Sequence, residues 1–578
     1  MKLKLLLPTV FIVLSAQPFN AQTGYDYFDA NNVEALISPV ANHFWDYNWN
    51  HYYVPKNDLT SSIFTSTIWI GGLDSANQLH LAAERFRGTG YDYTPGPIGD
   101  SGSYSPPSNG VWDRVWKVNK AEIEAWLLDP QNISPPQSVI DWPAHGDVNL
   151  GQAANLAPFI DVNGDGQYNP LSDLDYPAIK GDQAVYFIFN DDAAVHTESG
   201  GDILGVEIHG MAYGFDCPED TALNHALFME YTILNRSTND YHDLYLGSWT
   251  DFDLGNAQDD FVGSDPLRNL VFAYNGDALD EDAGWQTGYQ NNLPAQGIRL
   301  LNGLRMQNDA MDNLPSASFG GNYNGFGMND GVVDNERLGM HSFRYHRNSS
   351  QPDGDPQIAQ DYYNFMIGNW KDGVPMTYGG NGYDPNNPLA IECKFMYPDS
   401  PDSLFIGTGG VVTPYWDEVS GGVPSGDRRG VFSVGPIKLD AGASNSFEMV
   451  YVFAQKMNDR TGAVLKMKDY SDHLQDLYDA RTTSCGDFDV DFGYLTGIEN
   501  SALSEFSVFP NPASDAVTVT TESSSGQVSV YNMKGQLVVQ KAINSLITLM
   551  DISHLESGIY SLEYLNGDQY HQDKIVVQ

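Results

Sequence analysis

Basic residues are scarce in this chain. Its 578 residues include 29 Lys and Arg against 75 Asp and Glu, which gives a formal net charge of −46. Phosphate backbones and anionic lipid surfaces bind proteins through clustered Lys and Arg, which this composition does not supply. We therefore expect no nucleic-acid partner and no binding to anionic membranes. An aromatic content of 12% distinguishes the chain from disordered acidic tails and predicts a folded protein.

Cysteine is also scarce. Only Cys217, Cys393 and Cys485 are present, so at most one intramolecular disulfide can form, and the sequence does not select the pair. No two of them have the spacing of a zinc or redox motif. Bound calcium is an alternative means of cross-linking the loops of such a chain.

Long apolar runs are absent after the first residues. Lys2 and Lys4 precede an apolar stretch over residues 5–16, which is too short to cross a bilayer and is typical of a secretory signal peptide. We expect residues 1–22 to be this signal peptide, with cleavage after Ala21. No later stretch approaches the roughly 18 apolar residues of a membrane-spanning helix, so no transmembrane segment is predicted.

Several catalytic motifs are missing from the sequence. There is no His-Glu-x-x-His, no Gly-x-Ser-x-Gly and no P-loop. Residues 99–103 match the nucleophile loop of chymotrypsin-like proteases, but too few residues precede them to supply that family's His and Asp. Carboxylate pairs for glycoside hydrolysis are so numerous that no pair can be chosen. We therefore predict no catalytic residue and favour a non-catalytic function.

The sequence between residues 23 and 495, here called the body, consists of short apolar runs separated by Gly, Asn, Asp and Pro. This pattern predicts a mainly β fold with a multi-domain β-sandwich architecture, and we expect two or three subdomains in the body. Two helices are expected, at residues 120–128 and from Thr461 to about Arg481. A Gly- and Asn-rich segment at 309–334 is expected to form a surface loop. The clearest strand candidates are residues 62–70, 184–190, 228–234, 245–249, 270–274 and 446–453.

The C-terminal residues 506–578 follow an expected linker at 496–505 and differ from the body. Apolar and polar residues alternate in short runs, and glycines stand between the runs. This pattern predicts a small C-terminal β-sandwich of six or seven strands. The runs are residues 517–519, 528–531, 537–539, 559–565 and 575–577.

Four sequence blocks of the tail identify a family. They are Phe-Pro-Asn-Pro-Ala at 509–513, Val-Tyr-Asn-Met-Lys-Gly-Gln at 530–536, Ile-Ser-His-Leu-Glu-Ser-Gly-Ile-Tyr at 552–560, and Lys-Ile-Val-Val at 574–577. The tail closely resembles the type A C-terminal sorting domain of type IX secretion cargo in Bacteroidota. The matching motif residues are Pro510, Asn511, Pro512, Gly535, Gly558, Tyr560 and Lys574.

This resemblance has consequences for the expected location. It implies transit through the periplasm, recognition of the tail by the type IX secretion machinery, and delivery to the outer-membrane surface or the extracellular space. The body resembles, less specifically, an uncharacterised group of secreted Bacteroidota proteins, and that group implies no known activity. The stretches that carry the second resemblance are residues 68–72, 158–166, 249–255 and 259–263.

A candidate calcium loop begins at Asp161. Asp161, Asn163 and Asp165 place side-chain oxygens at positions 1, 3 and 5, glycine at position 6 allows a sharp turn, and Gln167 offers a backbone carbonyl at position 7. The loop resembles those of dockerin-like and thrombospondin-type-3-like repeats. The alternative is an Asx-rich turn whose side chains cap their own backbone.

The end of this loop departs from an EF-hand. Position 12 is Ser172, where an EF-hand has a bidentate Glu, and Pro170 is expected to interrupt any exiting helix. Asp173 or Asp175 must then supply the remaining carboxylate, and we take Asp173 as the predicted ligand. The predicted cofactor is structural Ca²⁺ bound within residues 161–175.

A second acidic cluster follows an apolar strand that ends near residue 249. Asp251, Asp253, Asp259, Asp260 and Asp265 lie within 15 residues, and their charges repel unless water or a cation separates them. The first four are a weaker candidate metal site. The alternative is a solvated loop.

Aromatic residues mixed with amides suggest a further partner. Residues 45–53 and the segment near Tyr323 combine flat apolar rings with amide donors, as sugar-binding surfaces do, so a surface glycan is a candidate ligand. The alternative is that these rings pack on the sandwich. Taken together, the sequence predicts a secreted or cell-surface calcium-binding β protein with a non-catalytic adhesion, binding or structural role. The alternative function is an extracellular polysaccharide-active hydrolase that uses a carboxylate pair.

Overall fold

The computed structural model describes most of the chain in two compact units. One unit ends at Val490 and the other begins at Asp491. The predicted signal peptide and linker lie outside the described residues. The described residues are 24–58, 60–88, 90–99, 111–284, 286–315, 324–398, 402, 404–492, 507–509, 513, 516–521, 526–532, 536–543, 547–555, 558–566 and 569–577.

The body contains 21 strands among its described residues. In chain order they are β1 Asp26–Phe28, β2 Glu34–Ile37, β3 Tyr52–Tyr53, β4 Thr65–Leu73, β5 Leu79–Ala83, β6 Thr94–Pro95, β7 Trp116–Asn119, β8 Phe159–Ile160, β9 Tyr176–Pro177, β10 Gln183–Asn190, β11 Val206–Gly214, β12 Ala226–Asn235, β13 Tyr241–Phe252, β14 Asp260–Asp265, β15 Leu270–Asn275, β16 Asn292–Asn302, β17 Met340–His346, β18 Arg428–Leu439, β19 Ser444–Met457, β20 Thr482–Thr483 and β21 Gly486–Asp487.

Two large antiparallel sheets organise these strands. A nine-stranded sheet has the order β14-β15-β16-β19-β12-β11-β10-β6, with β7 also paired to β10, and a five-stranded sheet has the order β17-β18-β13-β4-β5. Smaller sheets are β1-β2-β3, β8-β9 and β20-β21. The mainly β sandwich architecture predicted from the sequence is confirmed.

The core lies between the two large sheets. The Ser66 hydroxyl on β4 and the Tyr451 hydroxyl on β19 are 2.8 Å apart, so one sheet directly contacts the other. Apolar side chains from both sheets fill the space between them. Their burial stabilises the fold by about 25 cal/mol per Å² of apolar surface removed from water. Fully buried residues drawn from both sheets include Ile68, Trp69, Leu246, Trp249, Val185, Phe187, Ile208, Leu227 and Met229.

Five α-helices occur in the described residues: α1 Lys120–Leu128, α2 Gln137–Ile140, α3 Pro170–Asp173, α4 Ala359–Met366 and α5 Arg460–Ala480. Both predicted helices are present, and α1 has the predicted bounds. Helix α5 begins where the Asp459 side chain accepts the Gly462 N–H at 2.8 Å, as an N-cap does. None of the described helices is both long enough and apolar enough to span a membrane.

The prediction for Pro170 was wrong. Proline was expected to interrupt a helix after the calcium loop, but Pro170 starts the short helix α3. Its fixed φ and missing N–H are tolerated at the first helical position, because that N–H has no partner inside a helix. The predicted surface loop at 309–334 has no helix or strand in its described part, residues 309–315 and 324–334.

The C-terminal unit is a small β-sandwich. Its strands are β22 Ser507–Phe509, β23 Ala516–Thr520, β24 Gly526–Asn532, β25 Leu537–Ile543, β26 Ile547–Asp551, β27 Gly558–Asn566 and β28 Gln569–Val577. They form a sheet of order β22-β23-β26 and a sheet of order β25-β24-β27-β28. Both sheets contribute to one core, which includes Val517, Val519, Met550, Val528, Val530, Leu562 and Ile575.

Candidate metal sites

The predicted calcium loop begins directly after β8. The Asp161 carboxylate accepts the backbone N–H groups of Gly164 at 2.8 Å and Gly166 at 2.6 Å, so the chain turns around this side chain. Gly164 and Gly166 have φ of 75° and 77°, a conformation that favours glycine. The glycine at position 6 therefore has the role that the sequence predicts for it.

The next two predicted ligands also contact the backbone of the loop. Asn163 Oδ1 accepts the N–H of Asp165 at 2.9 Å, and Asp165 Oδ1 accepts the N–H of Gln167 at 2.8 Å. These are the contacts of the Asx-turn alternative. An ionised carboxylate has about four acceptor positions, so these bonds leave capacity for a cation. Gln167 points its side-chain amide at the Gly166 carbonyl, at 2.9 Å.

Asp175 closes the loop. It is fully buried, and its two oxygens accept the N–H groups of Val162 at 2.9 Å and Asn169 at 2.7 Å, so it joins both ends of the turn. Burial raises the pKa of Asp175, and the nearby charges of Asp161 and Asp173 raise it further. The charges of these two acids therefore act on Asp175, but no three acids of this loop, all of which are described, place one oxygen each within 4.8 Å of the others. Asp173 ends helix α3 and was taken as the predicted ligand, whereas Asp175 is the more central carboxylate.

The structure divides the second acidic cluster into separate groups. Asp251 and Asp253 join Asp427, whereas Asp259 joins two acids that lie further along the chain, Asp277 and Glu281. In each group of three, one oxygen per carboxylate lies within 4.8 Å of the others.

Two members of the sequence cluster belong to neither group. Asp260 is fully buried and accepts the Leu254 N–H at 3.1 Å. Asp265 is also buried and pairs with Lys468 at 3.1 Å and Arg268 at 2.9 Å, so its charge is balanced. Burial of Asp251, Asp253, Asp260 and Asp265 does not match a fully solvated loop.

Arg429 lies against the first group. It donates from Nε to Asp251 at 3.3 Å and from Nη2 to Asp427 at 3.2 Å. Asp253 accepts from Gln286 at 2.9 Å. Burial, followed by the charge of Asp427, raises the pKa of Asp253 to about 7. This group consists of two buried carboxylates and the half-buried Asp427, with one guanidinium as counter-charge.

Among the residues that the structure describes, no Lys, Arg or His forms an ion pair with the second group. Burial raises the pKa of Asp259 to about 7, and the charges that raise it further are those of Asp280, Glu281 and Asp277. Sequence reasoning found Asp259 but missed Asp277 and Glu281. The available signal was that β14 and β15 are joined by a short connection, which brings the residues before β14 and after β15 to the same end of the hairpin.

The aromatic segment at 45–53 lies partly at the surface. Trp45 is half-buried and contacts Phe64 and Phe86, with ring centroids 5.4 and 6.0 Å apart, while Trp49 is 61% exposed. The Arg429 guanidinium lies over the Phe86 ring, 5.3 Å from its centroid, so these rings adjoin the Asp251 group. Tyr323 and the residues before it, from 316, lie outside the described residues.

The described part of the sorting motif lies in the larger sheet of the C-terminal unit. Gly558 begins β27, and Tyr560 is buried in the core of the C-terminal unit. Lys574 is exposed on β28, opposite Ser561 of β27. The other motif residues lie outside the described residues: Pro510, Asn511, Pro512 and Gly535.

Comparison with known proteins agrees with the architecture of the tail. The fold defines a two-unit, mainly β protein whose C-terminal unit is a small sandwich. Residues 507–578 match the family described as the secretion system C-terminal sorting domain. The chain therefore carries a type IX secretion sorting domain and is cargo exported to the cell surface or the extracellular space.

The body gives no comparable match. A search of curated proteins finds no significant similarity. Among solved structures, a polysaccharide lyase aligns over 65% of this chain and 34% of its own, with 8% identity and a TM-score of 0.18. The chain thus spans about a third of the length of that protein, and a similarity this low carries no argument.

Proposed function

We propose that this protein is a calcium-binding β protein of the cell surface or extracellular space, whose body has a non-catalytic binding or structural role. The observation that supports the proposal is the sharp turn of the chain around Asp161, which carries the oxygen side chains of Asn163 and Asp165 on the same loop. Oxygen ligands on a sharply turned loop are what Ca²⁺ requires.

The electrostatics of the loop favour a bound cation. The charges of Asp161 and Asp173 act on the buried Asp175 carboxylate and raise its pKa, so the ion-free loop contains mutually repelling groups. A divalent ion shared by these carboxylates offsets that repulsion. In the extracellular space, binding of the ion stabilises the folded body by mass action.

The test compares thermal unfolding of the mature protein with that of an Asp161→Ala/Asp165→Ala variant, each in Ca²⁺ and in EDTA. We expect Ca²⁺ to raise the Tm of the wild type, and the rise to be clearly smaller in the variant. Asp469→Asn/Asp476→Asn is a control, because both of these acids are exposed on helix α5. An equal calcium-dependent rise in the loop variant and the wild type contradicts calcium binding at this loop.

A surface glycan is the proposed ligand of the body. The exposed Trp49 and the half-buried Trp45 and Phe86 offer ring faces of the kind that pack against sugars. Binding to an array of polysaccharides tests this proposal. We expect Trp49→Ala to weaken binding without changing the Tm, and the proposal fails if the wild type retains no polysaccharide.

A polysaccharide-active hydrolase is the second candidate function. The specific observation is the Asp251, Asp253 and Asp427 group beside Phe86, because a carboxyl group with a pKa of about 7 suits a general acid. Release of reducing sugar from a polysaccharide panel is the measurement. Turnover that disappears in Asp253→Asn, while the fold is retained, supports a hydrolase, and absence of turnover across the panel favours the non-catalytic function.

A further inference from the structure

Asp259, Asp277 and Glu281 lie at the end of the β14-β15 hairpin. Asp260 pairs with Asn275 in this hairpin, so Asp259 just before β14 and Asp277 just after β15 are brought to the same end. The Gly276 N–H donates to the Asp259 carbonyl at 2.7 Å and fixes the two segments against each other. One carboxylate oxygen from each acid lies within 4.8 Å of the other two. Two oxygens that bind one Ca²⁺ at about 2.4 Å lie no more than about 4.8 Å apart, so the three oxygens are close enough to share one ion.

The Asp259 carboxylate lacks the partners that a buried charge requires. Both of its oxygens are shielded from solvent and have no hydrogen-bond partner among the residues that the structure describes. The charges that act on it come from Asp280, Glu281 and Asp277, which are all acidic. A buried carboxylate among like charges is costly without a cation.

Two buried side chains at this end of the hairpin supply independent support. Asp260 and Asn275 are each 0% exposed, and Oδ1 of each has no hydrogen-bond partner within the described part of the chain. The Asn275 side-chain amide donates to the Asp277 carbonyl at 3.3 Å, which holds the segment after β15 against the hairpin. The charge of Asp259 acts on the buried Asp260 carboxylate. Buried oxygens without donors are uncommon in folded proteins, and an ordered water or a bound cation satisfies them.

Asp280 positions the loop that carries Asp277 and Glu281. Its two oxygens accept the N–H groups of Asn256 at 2.9 Å and Tyr289 at 2.6 Å, so Asp280 already has partners and holds the loop in place. Gly255 leaves room for Asp280, because a Cβ added at that position would lie 2.1 Å from Asp280 Oδ2. The φ of Gly255 is +71°, a conformation that also favours glycine. The arrangement of acids is therefore built by specific contacts that do not depend on an ion.

We propose that Asp259, Asp277 and Glu281 form a second calcium site, separate from the loop at 161–175. The group is made only of oxygen donors on loops, which suits the flexible coordination of Ca²⁺ better than the strict octahedron of Mg²⁺. The neighbouring Asp251 group differs, because Arg429 already supplies a positive charge there. A bound ion joins the segment before β14 to the segment after β15 and so stabilises the edge of the large sheet.

The experiment counts bound Ca²⁺ by isothermal titration calorimetry on the mature, full-length protein. The test variant is Asp277→Asn/Glu281→Gln, and both residues are exposed, so the fold should persist, as circular dichroism will check. We expect this variant to bind one Ca²⁺ fewer per molecule than the wild type. Asp469→Asn/Asp476→Asn removes the same charge from the exposed face of α5 and should bind as many ions as the wild type.

Two further variants make the result decisive. Asp161→Ala/Asp165→Ala should retain the ion lost by the test variant, so failure of the calcium-loop proposal and failure of this one are distinguished. Glu281→Gln alone is a milder change and should weaken binding at this site at least tenfold. A folded Asp277→Asn/Glu281→Gln variant that binds Ca²⁺ with the wild-type number and affinity overturns the inference.

Discussion

Cys217 and Cys485 are joined by a disulfide across 268 positions of the chain. Cys217 follows β11 in the large sheet, and Cys485 lies between β20 and β21, shortly before the end of the body. The bond therefore ties the last segment of the body to its central sheet. Cys393, the remaining cysteine, is buried and free.

Removal of this bond should lower the stability of the body. A disulfide that closes a long loop restricts the unfolded chain, and its loss typically costs about 2–5 kcal/mol. We expect Cys217→Ser/Cys485→Ser to lower the free energy of unfolding in urea by this amount. Reductant should destabilise the wild type and leave the double variant unchanged. Equal unfolding of the wild type with and without reductant contradicts a stabilising role.

A buried ion pair connects β18 to the loop before it. The Glu418 carboxylate accepts from Arg428 Nε at 2.9 Å and from the Val262 N–H at 2.6 Å, and both side chains are almost fully buried. Glu418→Ala leaves a buried guanidinium without its carboxylate and should cost about 3–5 kcal/mol of stability. The measurement is the urea midpoint of unfolding.

The control for this pair is an exposed one. Lys438 and Asp440 also form an ion pair, but both side chains are exposed to solvent. Exposed pairs contribute little because water screens them and their side chains lose freedom. Asp440→Ala should therefore leave the midpoint unchanged, and an equal effect of Glu418→Ala and Asp440→Ala would show that burial is not the cause.

The strands were largely predictable from the sequence because their apolar pattern is local. Residues 184–190 were predicted as a strand, and the structure has Gln183–Asn190, which is buried along its whole length. Helix α4 was not predicted. It has only eight residues, and a helix this short is marginal by itself, so packing against the five-stranded sheet determines it more than propensity does.

The candidate sites were predictable only where their residues are close in sequence. The loop at Asp161 contains most of its oxygen donors within a few residues, so its spacing is visible. Asp427 reaches Asp251 because β18 pairs with β13, and no local pattern connects two such distant positions. Long-range strand pairing thus determines the acidic groups, and the sequence alone does not specify that pairing.

The fully buried His43 should make stability depend on pH. Burial lowers its pKa to about 3, well below the usual 6.5. The ring is therefore neutral in the folded state, while the unfolded chain binds a proton below about pH 6.5. Its stabilising contribution is present above pH 6.5 and is lost as the pH falls towards 3, by about 2 kcal/mol between pH 7 and pH 5.

A variant isolates this contribution from the other titrating groups. Ser38 donates its N–H to His43 Nδ1 at 3.2 Å, and the amide oxygen of His43→Asn is suited to replace that acceptor. We expect the free energy of unfolding of the variant to fall less than that of the wild type between pH 7 and pH 5. If both proteins lose the same stability over this range, His43 is protonated in the folded state and the prediction is wrong.

Deletion of the C-terminal unit should stop export at the periplasm. Residues 507–578 match a secretion system sorting domain, and this unit has a core of its own, so its removal leaves the core of the body intact. We expect a chain lacking residues 506–578 to accumulate in the periplasm, while the complete chain reaches the surface or the medium. Cell fractionation and surface proteolysis provide the measurement. Normal surface display of the truncated chain contradicts the role of the tail, because an exported body would then carry its own signal for crossing the outer membrane.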